Sequence, residues 1–277
     1  MPTSKIGDNV KKLEINELHE VLFSALCYVN DICERNDIQY YLAYGTLLGA
    51  IRGSDFIPWD PDVDLFMSRE NYQKFCRVME NEKNDKYFLD TVYNNPYSIT
   101  PLEGRVCIRG TAIRVDIKSK VPLRKEIRID IAPLDFSSLD KEYVIHKNRV
   151  LHVYEQFIYL KYLHVINKRR LASYLFDLVL KVIPYKIALR KILKLAGENR
   201  SPDKEKYICL TAAYTCNKKK PLRNEYPVEW FGEPEYNMFH GKEFPCPRES
   251  HKFLEFFYGD DYMTPIPREE QGEYYLL

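Results

Sequence analysis

Three features predict an α+β chain, a mixed α/β core followed by a largely helical second half. The first is an apolar stripe at Leu18, Leu22, Ala25, Val29 and Ile32, spaced four and three apart as on one face of a helix. The second is a pair of alternating segments, Val63, Leu65 and Met67 in one and Ile127, Ile129 and Ile131 in the other, with the period of two that belongs to strands. The third is a change after Asp140, where long helical patterns replace the strands. Residues 1–137 are therefore expected to form the core, and residues 138–277 a mainly helical extension packed on it.

Taken in order, Asn16 is the expected cap of the first helix, with Glu17 and Glu20 near its positive dipole end. Asn36 and Asp37 break that helix, and residues 38–43 read as a strand running into Gly45 and Thr46. A strand, a glycine and the first amides of a short helix together form a phosphate-approach device, because glycine lets the backbone come close and the amides donate. Arg52 ends the short helix, either as a dipole partner or surface ion pair, or as a phosphate contact.

Next come Asp60, Asp62 and Asp64 at every other position, which an extended strand would place on one face. Ionised carboxylates so close resist desolvation unless a cation joins them, and an all-oxygen set suits magnesium, with manganese as the alternative. A solvated acidic face is the competing reading. Pro61 cannot donate to a ladder, so regular pairing is expected from Asp62, leaving Asp60 as a metal ligand or a group that orients one.

Ser68 caps a second helix with Tyr72, Phe75, Cys76 and Met79 on its buried face. Strands follow at 88–92, at 105–109 with Arg105 and Arg109 on one face, at 113–117, and at 127–131. If the last lies beside the Asp62/Asp64 strand, Asp130 completes a three-carboxylate cluster; Asp135 reads as a turn or capping residue. Helices are expected at 143–163, 171–183, 187–195, 204–214 and 248–258, the last stopped by Gly259. Lys168, Arg169, Arg170, Lys186, Arg190, Lys191 and Lys194 give this region a basic face, which either contacts an anionic membrane surface or is simply solvated.

Composition excludes several classes. A net charge of +1 over 277 residues argues against bulk binding to nucleic acid. The seven cysteines have no zinc-knuckle spacing, so free thiols in a reducing cytoplasm are expected. The first residues carry no apolar signal core, and no window offers the roughly 18 apolar residues a spanning helix needs. The six histidines are scattered without ligand spacing.

The stretches GTLLGAIR at 45–52, FIPWDPDVDLFMSRENYQKF at 56–75, RIDIAPLD at 128–135 and FPCPRESHKFLEFFYGDDYMTP at 244–265 resemble the LicD family, which includes the fukutin-like proteins. The resemblance implies a nucleotidyltransferase-type core related to that of DNA polymerase beta. It also implies transfer of phosphocholine or a polyol phosphate from a CDP-linked donor to a hydroxyl of a cell-surface glycan, such as lipopolysaccharide, a teichoic acid or a capsule precursor. By position it places Gly45 and Thr46 at the donor phosphates, Asp62 and Asp64 as metal ligands, Asp130 as the third carboxylate and Asp60 within the acidic motif. Arg105 stands where relatives often carry a lysine that reaches the donor phosphate. Gly53 and Asp55 depart from the family's usual histidine and glycine, and Pro61 from a frequent aspartate.

The expected chemistry is metal-assisted phosphoryl transfer by Asp62, Asp64 and Asp130 in a cytoplasmic protein lying peripherally at the inner face of the membrane, where a lipid-linked acceptor would be found. Two rivals use the same sequence differently: a nucleotidyltransferase moving a nucleoside monophosphate to a small acceptor, and a non-catalytic scaffold for glycan assembly.

Overall fold

Glutamate rather than asparagine starts the first helix. The computed structural model describes residues 11–95, 97–98, 100–114, 125–138, 140–162, 182, 184–197, 204–211, 224–265 and 273–276. In α1 (Ile15–Arg35) Glu14 is the N-cap, and the Glu17 carboxylate accepts from the Glu14 N–H at 3.1 Å in a reciprocal capping box, leaving Asn16 inside the first turn. The stripe from Leu18 to Ile32 is fully buried, as its spacing predicts.

A short β1 (Lys11–Leu13) precedes α1. After it come β2 (Tyr41–Leu42), α2 (Tyr44–Gly53), β3 (Val63–Ser68), α3 (Arg69–Asn81), β4 (Tyr87–Asp90), β5 (Gly104–Ile108), β6 (Thr111–Arg114) and β7 (Arg128–Phe136). Ser68 caps α3 by accepting the Asn71 N–H at 3.2 Å, and Tyr72, Phe75 and Met79 turn inward. The main sheet runs β2-β3-β7-β5-β4. Its centre is the parallel pair β3 and β7, flanked by antiparallel neighbours.

One expected helix is a strand. Lys206–Cys209, read from sequence as part of a helix over 204–214, forms β8, which pairs with the far end of β7 and with β9 (Glu225–Pro227). The exposed edge of β7 supplies a ladder that no local pattern records, so tertiary pairing overrides propensity. Strand β5 leaves β7 after Ile131 and β8 joins at Leu134; Pro133 falls between them, where its missing N–H removes no bond on that side. Asp135, expected in a turn, sits inside β7 and accepts from Arg69 Nε and Nη2 at 2.8 and 2.7 Å.

The remaining elements are α4 (Lys141–Tyr162), α5 (Tyr185–Gly197), β10 (Glu235–Phe239), β11 (Lys242–Cys246), α6 (Ser250–Tyr258) and β12 (Glu273–Leu276). Past residue 138 the chain thus mixes helices with strands, two of which (β8 and β9) extend the main sheet. Strand β12 lies between β1 and β6 in a separate three-stranded sheet, so the strand expected from Ile113 does not continue the main one, and residues 115–117 of it lie outside the described residues.

Helices α4 and α5 build a second core, with Val144, Leu151 and Ile158 packed against Tyr185, Ala188 and Ile192. This packing occupies the apolar stripe of α5 and leaves Lys186, Arg190, Lys191 and Lys194 exposed. Nearly all of the expected helix at 171–183, and the basic run at 168–170, lie outside the described residues. Among those described, no helix is long and apolar enough to cross a membrane. Cys27, Cys33, Cys76, Cys107, Cys209 and Cys246 are free thiols.

Candidate active site

Parallel pairing of β3 with β7 sets Asp64 directly opposite Asp130, and antiparallel pairing of β7 with β5 sets Asp130 opposite Arg105. Side chains directly opposite on adjacent strands share a face. The register therefore joins two sequence segments more than sixty residues apart into one acidic surface. A cleft of about 680 Å³ opens there, lined by Gly45, Asp60, Asp62, Asp64, Glu103 and Asp130 and by the rings of Tyr44, Trp59, Phe257, Tyr258 and Tyr262.

Asp60 reaches this cleft from a turn, not from the strand. Its N–H donates to the Ile57 carbonyl at 2.8 Å, and regular pairing begins at Val63, one residue later than the prolines suggested. His19, on α1, fixes the same turn from behind: its Nε2–H donates to the Asp60 carbonyl at 2.8 Å while its ring stacks on Phe56 at 4.2 Å. Burial pushes His19 below its ordinary value, consistent with a neutral ring that donates through Nε2. Among the histidines, all set aside on sequence, this one touches the acidic turn; only its place beside the buried α1 stripe hinted at it.

The electrostatics follow from crowding. Burial pushes Asp64 well above the usual carboxylate range, and the charges of Asp62, Asp130, Glu103 and Asp60 add to the effect. Asp62 is raised by burial and then by Asp130, while a hydrogen bond with Asp60 acts in the opposite sense. Asp130 is held differently: its Oδ1 accepts from Arg105 Nε at 3.0 Å and Arg128 Nε at 3.1 Å.

Three residues expected at the donor phosphates make hydrogen bonds within the protein. Thr46 is buried, and its Oγ1 accepts the Asp64 N–H at 2.9 Å, so the hydroxyl fastens α2 to β3. Arg105 is buried behind the acids, bridging Glu103 at 2.6 Å and Asp130. Arg52 lines the cleft, yet its Nη2 donates to the carbonyls of Tyr262 and Thr264 and ties α2 to the loop after α6. Gly45 does line the cleft: a Cβ there would lie 2.2 Å from Asp60 Oδ2, so glycine is what lets this carboxylate pack against the start of α2.

Among the described residues no group of three or more histidine, cysteine or acidic side chains is placed so that it could by itself hold a metal ion. The donor set is nonetheless all oxygen. Magnesium commonly binds through one or two carboxylates plus substrate phosphates and water, so it needs no closed cage.

Comparison with known proteins follows the same lines. A family model described as "LicD/FKTN/FKRP, nucleotidyltransferase domain" matches residues 37–163, the span that holds Gly45, the three alternating aspartates and Asp130. Residues 37–163 thus match a LicD family domain. It is 28% identical to the lipopolysaccharide cholinephosphotransferase LicD of Haemophilus influenzae, over 96% of this chain and 98% of that protein. A stretch of 38 residues is 53% identical to the human ribitol 5-phosphate transferase FKRP, covering 14% of this chain and 8% of that protein. The likeness to the LicD transferase thus runs nearly end to end, whereas that to the ribitol phosphate transferase is confined to a short segment.

Proposed function

We propose that this LicD-type chain is a phosphotransferase that moves phosphocholine from CDP-choline to a hydroxyl of a lipopolysaccharide-type glycan. The observation that carries this reading is the nearly end-to-end similarity to a lipopolysaccharide cholinephosphotransferase. The acidic cleft supports it, because Asp62 and Asp64, with Asp60 and Asp130 beside them, form a donor set that fits magnesium. The metal, when bound, would neutralise charge on the donor diphosphate and on the departing CMP. Asp60 is positioned for this by His19 and by the space above Gly45. Asp130, anchored through Oδ1 by two guanidinium groups, is the group to take the acceptor's proton as its oxygen joins phosphorus. Thr46 and Arg105 support the carboxylates and are assigned no phosphate contact.

Incubation with CDP-choline, magnesium and a lipopolysaccharide acceptor should release CMP and label the glycan, and Asp62→Ala should abolish both. Normal turnover by Asp62→Ala, or in excess chelator, would overturn the mechanism. The matched family description favours a second reading, nucleotidyl transfer. Release of pyrophosphate from CTP in the presence of an acceptor, with no CMP formed from CDP-choline, would establish it. The exposed basic residues of α5 would bring the protein to anionic lipid by charge alone, since its apolar stripe is occupied; failure to sediment with anionic vesicles at low salt would remove that part.

A further inference from the structure

We infer that the aromatic lining of the cleft is a cation-binding corner that takes the trimethylammonium group of the donor and so selects choline over other headgroups. This rests on the phosphocholine-transfer reading and names the residues that would recognise its headgroup. The Phe257 and Tyr258 rings meet at 75° with centroids 5.0 Å apart, and Tyr44 lies 4.8 Å from Phe257, so three rings form a continuous angled surface. Trp59 lines the same cleft and immediately precedes Asp60. Tyr258 lies within the field of Asp64, Asp60 and Asp62, which places the ring surface next to the acids.

The chemistry of the lining restricts what can sit there. Among the described lining residues the acids are Asp60, Asp62, Asp64, Glu103, Asp130 and Asp261, and the cation is Arg52, whose Nη2 is engaged by two backbone carbonyls. A polyol headgroup needs a dense set of hydrogen-bonding partners, which ring faces lack. A quaternary ammonium has no N–H to satisfy, carries a diffuse charge and is attracted to π faces within about 6 Å of their centroids. In choline phosphate this cation is tethered to phosphorus by an oxygen and two carbons, so a phosphate at the acids carries it to the adjoining rings. Tyr258 is partly exposed at 39%, so its ring is open to such a ligand.

The test is calorimetric binding of CDP-choline, CDP-ethanolamine and CMP, with magnesium, to the full chain and to Trp59→Leu, Tyr258→Leu and Tyr258→Phe. Each leucine variant should bind CDP-choline about tenfold more weakly, a cation–π loss of ordinary size, and bind CDP-ethanolamine and CMP within about twofold of the parent. Tyr258→Phe, which keeps the ring, should bind CDP-choline like the parent. Equal losses for all three ligands would mean that the rings stack the cytosine, and unchanged CDP-choline binding would mean that they bind nothing; either overturns the inference. Normal phosphocholine transfer by the leucine variants at unchanged KM would refute the corner and leave the transfer reading intact. Ring-dependent CDP-choline binding without any transfer to glycan would do the reverse.

Discussion

Replacing Gly45 by alanine should separate the site from the fold. The new Cβ would stand 2.2 Å from Asp60 Oδ2, roughly 1 Å inside the carbon–oxygen approach of about 3.3 Å seen in ordinary contacts. The obstruction is a carboxylate that can rotate away, at an off-rotamer cost of about 1 kcal/mol. Alanine is favoured over glycine in a helix by about the same amount, so Tm should move by only a few degrees. Catalysis has no such offset. A displacement near 1 Å at a positioned catalytic group costs about a hundredfold in rate, and kcat is where the loss should appear. Gly49→Ala provides the control. Its Cβ would meet the Asp55 carbonyl oxygen at 2.4 Å and the Ile57 nitrogen at 3.2 Å, both backbone atoms, so the chain itself must shift. That variant should lose about 3 kcal/mol of stability. Thermal melts and CMP-release kinetics on both proteins decide the matter. Full activity in Gly45→Ala, or a stability loss matching that of Gly49→Ala, would refute the reasoning.

Other perturbations have distinct signatures. Asp62→Asn should raise the Tm of the metal-free protein, because it removes one of several crowded, mutually repelling charges, while cutting turnover at least about a hundredfold; a lowered Tm contradicts the crowding argument. Arg105→Met should destabilise by about 3 kcal/mol in denaturant titration, since it removes the ion-pair partner of Glu103 and one of the two guanidinium donors to Asp130 Oδ1; an unchanged midpoint would mean that the ion pairs are immaterial. His240 links Asp55 at 2.7 Å and Glu20 at 3.1 Å; burial alone would lower it, but these bonds prevail and raise it above 6.5. Burial would raise Asp55, yet the His240 bond prevails and holds it below 3.8. The clamp is therefore complete between about pH 4 and 6.5, loses the histidine charge as pH climbs through the raised value, and loses the carboxylate only in stronger acid. Because Asp55 is well exposed the link contributes at most about 1 kcal/mol, so Tm should fall by about 2–4 °C between pH 6 and 8.5 and stay flatter in His240→Gln.

Local signals carried far where local physics decides. The α1 stripe, the Ser68 cap and the Gly259 stop, with its φ of 106°, are set by neighbours within a few residues. Even the union of Asp64 with Asp130 was legible, because two buried alternating strands of isoleucine, valine and leucine invite pairing. Roles fixed by distant partners were not. Nothing near Thr46 announces that its hydroxyl will hold the Asp64 amide, and Arg105 points inward because its register partner is Asp130. Lys206–Cys209 became a strand through the free edge of β7. Tyr258 and Phe257 belonged to a recognised motif, yet their place in the cleft depends on α6 packing back across the sheet.

The cleft is assembled from two stretches of chain far apart in sequence. Every aspartate of the β3–β7 surface lies between residues 37 and 163, the span matched to the family, whereas Phe257, Tyr258 and Tyr262 arrive from far beyond it and are secured by Arg52 reaching across to the Tyr262 and Thr264 carbonyls. Substitutions in the distal segment can therefore alter what fits beside the reacting phosphate without disturbing the groups that would act on it. Such a division separates the acidic surface from the rings beside it, with the Arg52 tether as the contact that joins the two.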